Sequence, residues 1–114
     1  MAATSVTTKH LTWGTVGAPT MAAPDGTLGA LVRPGNDEST LLVLTATGAL
    51  TATIKAGDGI QGTSDLTVNF TAAGTRYLAV ESGKYLITQG DDAGCIRIIP
   101  STTGLMVGCI VLPR

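Results

Sequence analysis

The sequence predicts a small all-β domain, and three observations point to it. Thr is the commonest residue, Gly is abundant, and Lys and Glu are rare, which favours strands and turns over helices. A helix-period apolar stripe is missing throughout. Short apolar runs, alternating or continuous, are separated instead by Gly, Asp, Asn and Ser, a pattern typical of a sandwich or barrel. With 114 residues, the chain is long enough for one hydrophobic core.

We therefore expect a single β domain over residues 28–114, built as a β-sandwich, a jelly roll or a small barrel, behind an extended N-terminal arm of residues 1–27. The order of the strands stays open at this level. Three central strands are predicted, over residues 41–47, 49–55 and 66–70. The side chains expected to face the core in the last two are Leu50, Ala52, Ile54, Leu66, Val68 and Phe70.

The run RYLAVESGKYLITQ predicts a β-hairpin with a two-residue turn at Ser82-Gly83 or Gly83-Lys84. Either turn pairs an even-numbered residue of the first strand with an odd-numbered residue of the second. The apolar pattern agrees with that pairing. The side chains expected on one face are Leu78, Val80, Tyr85 and Ile87.

A second hairpin is predicted in GCIRIIPSTTGLMVGCIVLP, with its loop near residues 100–104. Arg97 is expected to face outward. The side chains expected to face inward are Ile96, Ile98, Met106, Ile110 and Leu112. A hairpin centred on Thr102 would also set Cys95 opposite Cys109, within reach of a disulfide. Because the cytoplasm is reducing, we favour two packed thiols, and the disulfide stays open.

The first 27 residues differ from the rest of the chain. They contain few large apolar residues, carry Pro19 and Pro24, and show no sustained alternation. Fully extended, such a segment reaches about 90 Å. We expect an arm that lies on a neighbouring subunit, and the alternative is a first edge strand followed by a loop. The residues proposed to bind a partner are Leu11, Trp13, Val16 and Met21.

Residues for catalysis or for a cofactor are scarce, and we predict no enzyme, no cofactor and no metal. His10 is the only histidine, and it lies in the predicted arm. Two cysteines do not supply a four-ligand zinc site. The acids Asp58, Asp65, Asp91 and Asp92 lack the spacing of known calcium loops. No glycine-rich phosphate loop occurs.

The low charge of the chain predicts a covered surface. A folded monomer of 11.5 kDa exposes roughly 5,800 Å², which leaves about 390 Å² for each of the 15 ionisable Asp, Glu, Lys and Arg residues. We expect partner proteins to cover much of this surface, although Thr, Ser and Gly could instead supply enough polarity for a soluble monomer. The basic residues are scattered, which argues against nucleic acid. No apolar run of about 20 residues predicts a membrane span, and the N-terminus lacks a signal-peptide pattern.

The segment KAGDGIQGTSDLTVNFTAAGTRYLAVESGKYLITQGDDAGCIRIIP resembles the head-decoration, or cement, proteins of tailed bacteriophages, and the similarity covers residues 40 to 112. The resemblance implies a non-enzymatic subunit on the outer surface of the phage head, made in the host cytoplasm. It would bind the major capsid protein and itself, with a homotrimer favoured and a homodimer possible. The alternative is a carbohydrate-binding or adhesin module, for which Trp13, Tyr77 and Tyr85 are the candidate aromatics.

Overall fold

The structure is a computed structural model, and it describes residues 3–14, 16–34, 39–57, 64–79, 82–88, 90 and 93–112. These residues form nine strands and one helical turn. The elements in chain order are β1 (Thr4–Val6), β2 (Thr8–His10), β3 (Ala30–Val32), β4 (Thr40–Ala46), β5 (Leu50–Ile54), β6 (Leu66–Phe70), β7 (Gly74–Leu78), α1 (Ser82–Tyr85), β8 (Ile96–Pro100) and β9 (Leu105–Val111). No helix in the described ranges has the length and apolarity needed to cross a membrane.

The strands form two packed sheets, which confirms the predicted all-β, sandwich-like domain. The five-stranded sheet has the order β1-β3-β8-β5-β6, and the four-stranded sheet has the order β2-β9-β4-β7. Four short connections carry the chain from one sheet to the other, between β1 and β2, β4 and β5, β6 and β7, and β8 and β9. The two strands that each of these connections joins therefore lie in opposite sheets of the sandwich.

The core lies between the inner faces of the two sheets. The largest fully buried side chains are Val32, Leu42, Leu44, Ile54, Ile96, Ile98, Val107 and Cys109. The inward faces predicted for β5 and β6 are confirmed, because Leu50, Ala52, Ile54 and Phe70 are buried and Leu66 and Val68 pack against the core. Ile96 and Ile98 are also buried, as predicted.

The predicted C-terminal hairpin is wrong in its pairing. Both strands form, but β8 belongs to the five-stranded sheet and β9 to the four-stranded sheet. The connection between them passes through Gly104, whose φ of 110° lies in the left-handed region that glycine adopts readily. The connection crosses the core and does not turn within one sheet. The odd-numbered residues of β9 therefore face the core, and not the even-numbered ones that were predicted. The residues of β9 that are buried in the core are Leu105, Val107 and Cys109, and not Met106, Ile110 and Leu112.

The predicted hairpin over RYLAVESGKYLITQ is also wrong. Strand β7 ends at Leu78 and pairs with β4, and the expected turn residues form helical turn α1 instead. The chain leaves the four-stranded sheet at this point, because Gly57 N–H donates to the Lys84 carbonyl and Leu86 bridges Ile96. Leu78 and Tyr85 still pack against the core. Ile87 is half-buried, and Val80 lies outside the described residues.

The extended N-terminal arm is not confirmed. Strand β1 pairs in parallel with β3, and β2 pairs in parallel with β9, so the first strands are short edge strands of the two sheets. Farther on, Ala22 and Val107 exchange two backbone hydrogen bonds of 2.9 and 2.8 Å. The segment between β2 and Ala22 therefore leaves the four-stranded sheet and returns to it. This arrangement is closer to the alternative of an edge strand followed by a loop.

Candidate protein-binding face

The outer surface of the four-stranded sheet is largely apolar. Leu42 and Leu44 of β4 point into the core, so the residues between and beside them point outward. The register then sets Gly108 and Tyr77 on either side of Val43. We call this surface the apolar face, and its members are Lys9, Leu41, Val43, Thr45, Thr75, Tyr77, Met106, Gly108 and Ile110. Lys9, on the β2 edge, is its only charged member.

Part of the apolar face is covered by the segment that follows β2. A Cβ atom on Gly108 would lie 2.6 Å from Met21 Sδ and 3.1 Å from Pro19 Cβ, so the missing side chain makes room for both. A Cβ on Gly17 would likewise lie 2.7 Å from Leu11 Cδ2. Residues 17–21 therefore pack over the β2 and β9 side of the sheet, and Val43 of β4, at the centre of the apolar face, is only 5% exposed.

Four large apolar side chains remain exposed among the described residues, and all four belong to the four-stranded side. Trp13 is 76% exposed and Val16 is 100% exposed, and both lie in the segment between β2 and Ala22. Tyr77 projects from β7 and is 66% exposed. Leu112 follows β9 directly and is 44% exposed. Contiguous patches of exposed apolar side chains mark surfaces that bind other proteins, which makes these four residues candidates for such contacts.

The outer surface of the five-stranded sheet has a different character. Its outward positions on β5 and β6 are three threonines and an asparagine, Thr51, Thr53, Thr67 and Asn69. Arg97 occupies the outward position of β8 between Ile96 and Ile98. We call this surface the polar face. Leu31 and Ile99, both half-buried, also point outward from this sheet, so the two faces differ in degree, and the polar face carries the larger share of polar side chains.

A salt bridge lies at the end of the polar face. Lys55 Nζ is 2.9 Å from Asp65 Oδ2, and the Ala56 amide donates to the other oxygen of the same carboxylate at 2.6 Å. These donors favour the charged form, so the Ala56 hydrogen bond, followed by that of Lys55, holds the pKa of Asp65 below its usual value.

The predicted partner-binding residues separate into two pairs. Trp13 and Val16 are exposed, whereas Leu11 and Met21 are half-buried against the chain's own segment and sheet. Tyr77 was considered above as an aromatic of a sugar site, and Leu112 was expected to face the core. One signal was available for the face beneath them, because LLVL in β4 and LMVGCIV in β9 are continuous apolar runs, which indicate strands buried on both faces.

The described residues hold few reactive groups. His10 is exposed on edge strand β2, opposite Val111. No group of three or more His, Cys, Asp or Glu side chains within these ranges is placed to hold a metal ion. Of the four acids considered for calcium, Asp65 is engaged with Lys55, and the other three lie outside the described residues.

The two cysteines are free and buried, and the strands that were expected to pair them lie in opposite sheets. Cys109 is opposite Leu42 on one side and Thr8 on the other. Burial raises the pKa of the Cys109 thiol, and a hydrogen bond with Thr8 offsets part of that rise. A neutral, packed thiol at this position fits a core role better than a reactive one.

Comparison with family models, with curated proteins and with solved structures found no match for this chain. The chemistry of the apolar and polar faces is therefore the basis for inferring a function.

Proposed function

We propose that this chain is a structural decoration, or cement, protein that binds the outer surface of a tailed-phage head and stabilises contacts between major capsid subunits. The observation that carries the proposal is the contrast between the two faces. A subunit that coats a shell needs one face that binds protein and an opposite face that remains in water. The exposed apolar side chains on the four-stranded side, and the threonines of the polar face, supply these two properties.

The sparse charge supports the same proposal. The chain exposes 6223 Å², which is about 415 Å² for each of its 15 ionisable Asp, Glu, Lys and Arg side chains. With a net charge of −1, copies of the chain hardly repel one another. Close packing of many copies on a shell is therefore electrostatically inexpensive.

The mechanism is association without bond breaking. A protein that binds the expanded shell, and not its dissociated subunits, stabilises the shell by mass action. Each contact can be weak, because symmetric copies act together on one particle. The partners are the major capsid protein and other copies of this chain, with a homotrimer favoured. The protein would be made in the host cytoplasm and located on the virion surface.

The proposal is tested by mixing the purified chain with DNA-free heads of the tailed phage whose genome encodes it. Unexpanded and expanded heads are sedimented separately, and the chain that co-sediments is measured. We expect saturable binding to expanded heads and little binding to unexpanded heads. No binding to either form, or a source genome without head genes, would contradict the proposal.

Two double variants assign the binding to one face. Val16→Glu with Tyr77→Glu places two charges on the four-stranded side, and Thr67→Glu with Asn69→Glu places two charges on the polar face. All four positions are exposed, so both variants should fold. We expect the first variant to bind heads at least about tenfold more weakly, since burying a charge opposes association. The second should bind like the unaltered chain, and equal losses would remove the role of the apolar side.

A carbohydrate-binding or adhesin module remains the alternative proposal. Both exposed aromatic side chains, Trp13 and Tyr77, belong to the four-stranded side. Tyr77 lies on β7 and Trp13 follows β2, and these strands are the opposite edges of that sheet, about 14 Å apart at 4.8 Å per strand. Strong hits on a glycan array together with no affinity for heads would favour this alternative.

A further inference from the structure

A small pocket lies at one end of the sandwich, where the β8 to β9 connection meets the segment after Ala22. Its volume is about 260 Å³, and its walls include Ala23, Pro24, Pro100 and Leu105. The remaining lining residues are glycines and threonines, and no ionisable side chain is among them. Pockets for drug-sized ligands hold about 300–1,000 Å³. This pocket is therefore suited to a single large apolar side chain.

We propose that the pocket receives Trp13 from a second copy of this chain. Trp13 is the only tryptophan of the sequence, and it is 76% exposed on a surface segment. An indole is flat and neutral, and Pro24 and Pro100 give the pocket flat, apolar surfaces. Tryptophan is also one of the residues enriched at interface hot spots, which lie in well-packed pockets. The inference rests on the proposed function and names one of the contacts by which copies of the chain would bind each other.

The fold separates Trp13 from the pocket of its own chain. Leu11 N–H donates to the Val111 carbonyl, so Trp13 lies near the C-terminal end of β9. The pocket includes Leu105, at the N-terminal end of the same strand. Six residues of strand span about 20 Å. The anchor and the pocket therefore lie at opposite ends of one strand, and a neighbouring copy can join them.

Trp13 and the pocket are different surfaces, so the contact either runs head to tail, forming a ring if the rotation between copies closes, or occurs twice in a two-fold dimer in which each Trp13 enters the other copy's pocket. The ring is the geometry of a homotrimer, and the reciprocal arrangement is that of a homodimer. The contact is small, since a tryptophan buries about 150–250 Å² and a stable interface buries about 800 Å² per partner. We therefore expect concentration-dependent association in solution and tighter association where a shell holds the copies together.

Tryptophan emission of the full-length chain measures this contact directly. We expect the emission of a water-exposed indole in dilute solution and a blue shift as the concentration rises toward 1 mM, with sedimentation showing oligomers over the same range. Ala23→Phe and Thr102→Phe each fill the pocket from a different wall, and each should weaken self-association at least about tenfold. Thr67→Ala changes an exposed residue of the polar face that lines neither the pocket nor the Trp13 segment, and it should change self-association less than about threefold.

A mixing experiment tests whether Trp13 of one copy enters the pocket of another copy. Trp13→Ala keeps the pocket but lacks the anchor and all tryptophan emission, whereas Ala23→Phe keeps the anchor but lacks the pocket. We expect each variant alone to be monomeric. Adding Trp13→Ala to Ala23→Phe should shift the emission of Trp13 to the blue and give a 1:1 complex that does not close. Unshifted emission in this mixture, or normal self-association of both pocket variants, would overturn the inference.

The inference and the proposed function fail in different ways. Normal binding of Ala23→Phe to expanded heads, together with normal self-association, would remove the pocket contact and leave the decoration role. Absence of head binding by the unaltered chain, together with the mixing result described above, would remove the decoration role and leave the pocket contact.

Discussion

The sandwich topology predicts that alanine substitutions of two leucines lower the free energy of unfolding by very different amounts. Leu105 is the first residue of β9, and Leu112 directly follows that strand. Leu105 is 2% exposed and Leu112 is 44% exposed, and their numbers differ by an odd amount, so they lie on opposite sides of the strand direction. Leu→Ala at a buried site costs about 2.7–5.0 kcal/mol, because a cavity is left as well as apolar area lost. We expect Leu105→Ala to lower the free energy of unfolding by about 3 kcal/mol.

Leu112→Ala should cost about 1 kcal/mol, because the side chain is nearly half in water and no closed cavity forms. The two variants make the same chemical change, which makes each the control of the other. Urea unfolding followed by far-ultraviolet circular dichroism measures both, and similar m-values would show that the unfolded states are comparable. A greater loss for Leu112→Ala would refute the topology, since that order belongs to a β8 to β9 hairpin with Leu112 inside.

Three further predictions concern the single residues Asp65, Cys109 and Arg76. The lowered pKa of Asp65 means that its contribution to stability is complete above its unfolded pKa of 3.8 and is lost as the pH falls through the folded value. Asp65→Asn should therefore be less stable than the unaltered chain at pH 7. Its melting temperature should also fall less on acidification from about pH 5 to pH 2. Plots of melting temperature against pH that run parallel for the two chains would contradict this. Cys109 should react with a thiol reagent far more slowly in the folded chain than in urea at pH 8, because burial raises its pKa, and equal rates would show an exposed thiol. Arg76→Ala should cost about 1 kcal/mol in thermal unfolding, because the guanidinium lies 5.2 Å from the centre of the Phe70 ring, and Arg76→Lys should keep part of that contact. No loss in Arg76→Ala would mean that this contact does not stabilise the fold.

The fold class and much of the core could be predicted from local patterns. Strands β5 and β6 alternate cleanly, so the inward positions Leu50, Ala52 and Ile54 follow from the period of two. The pairing of strands could not be predicted in the same way. A glycine-containing connection such as residues 101–104 is compatible with a turn within one sheet and with a crossing between sheets, and only packing across the core decides between them.

The candidate face was predicted in part. Trp13 and Val16 were identified from their place in a segment with few other large apolar residues, and both are exposed. Leu112 was expected inside and is exposed, because its direction depends on how β9 is paired, whereas Tyr77 was already named as a candidate aromatic. The docking of Met21 over Gly108 was also beyond local patterns, since it joins positions far apart in sequence.

The one-sided character of the sandwich is tested most directly by hydroxyl-radical footprinting of the chain, free and bound to expanded heads. Tyr77 and Leu112 report on the four-stranded side, and Leu31 and Ile99 report on the outward positions of the five-stranded sheet. We expect strong protection of Tyr77 and Leu112 on binding and little change at Leu31 and Ile99. Protection of Leu31 and Ile99 alone, or equal labelling of all four residues in both states, would contradict the account.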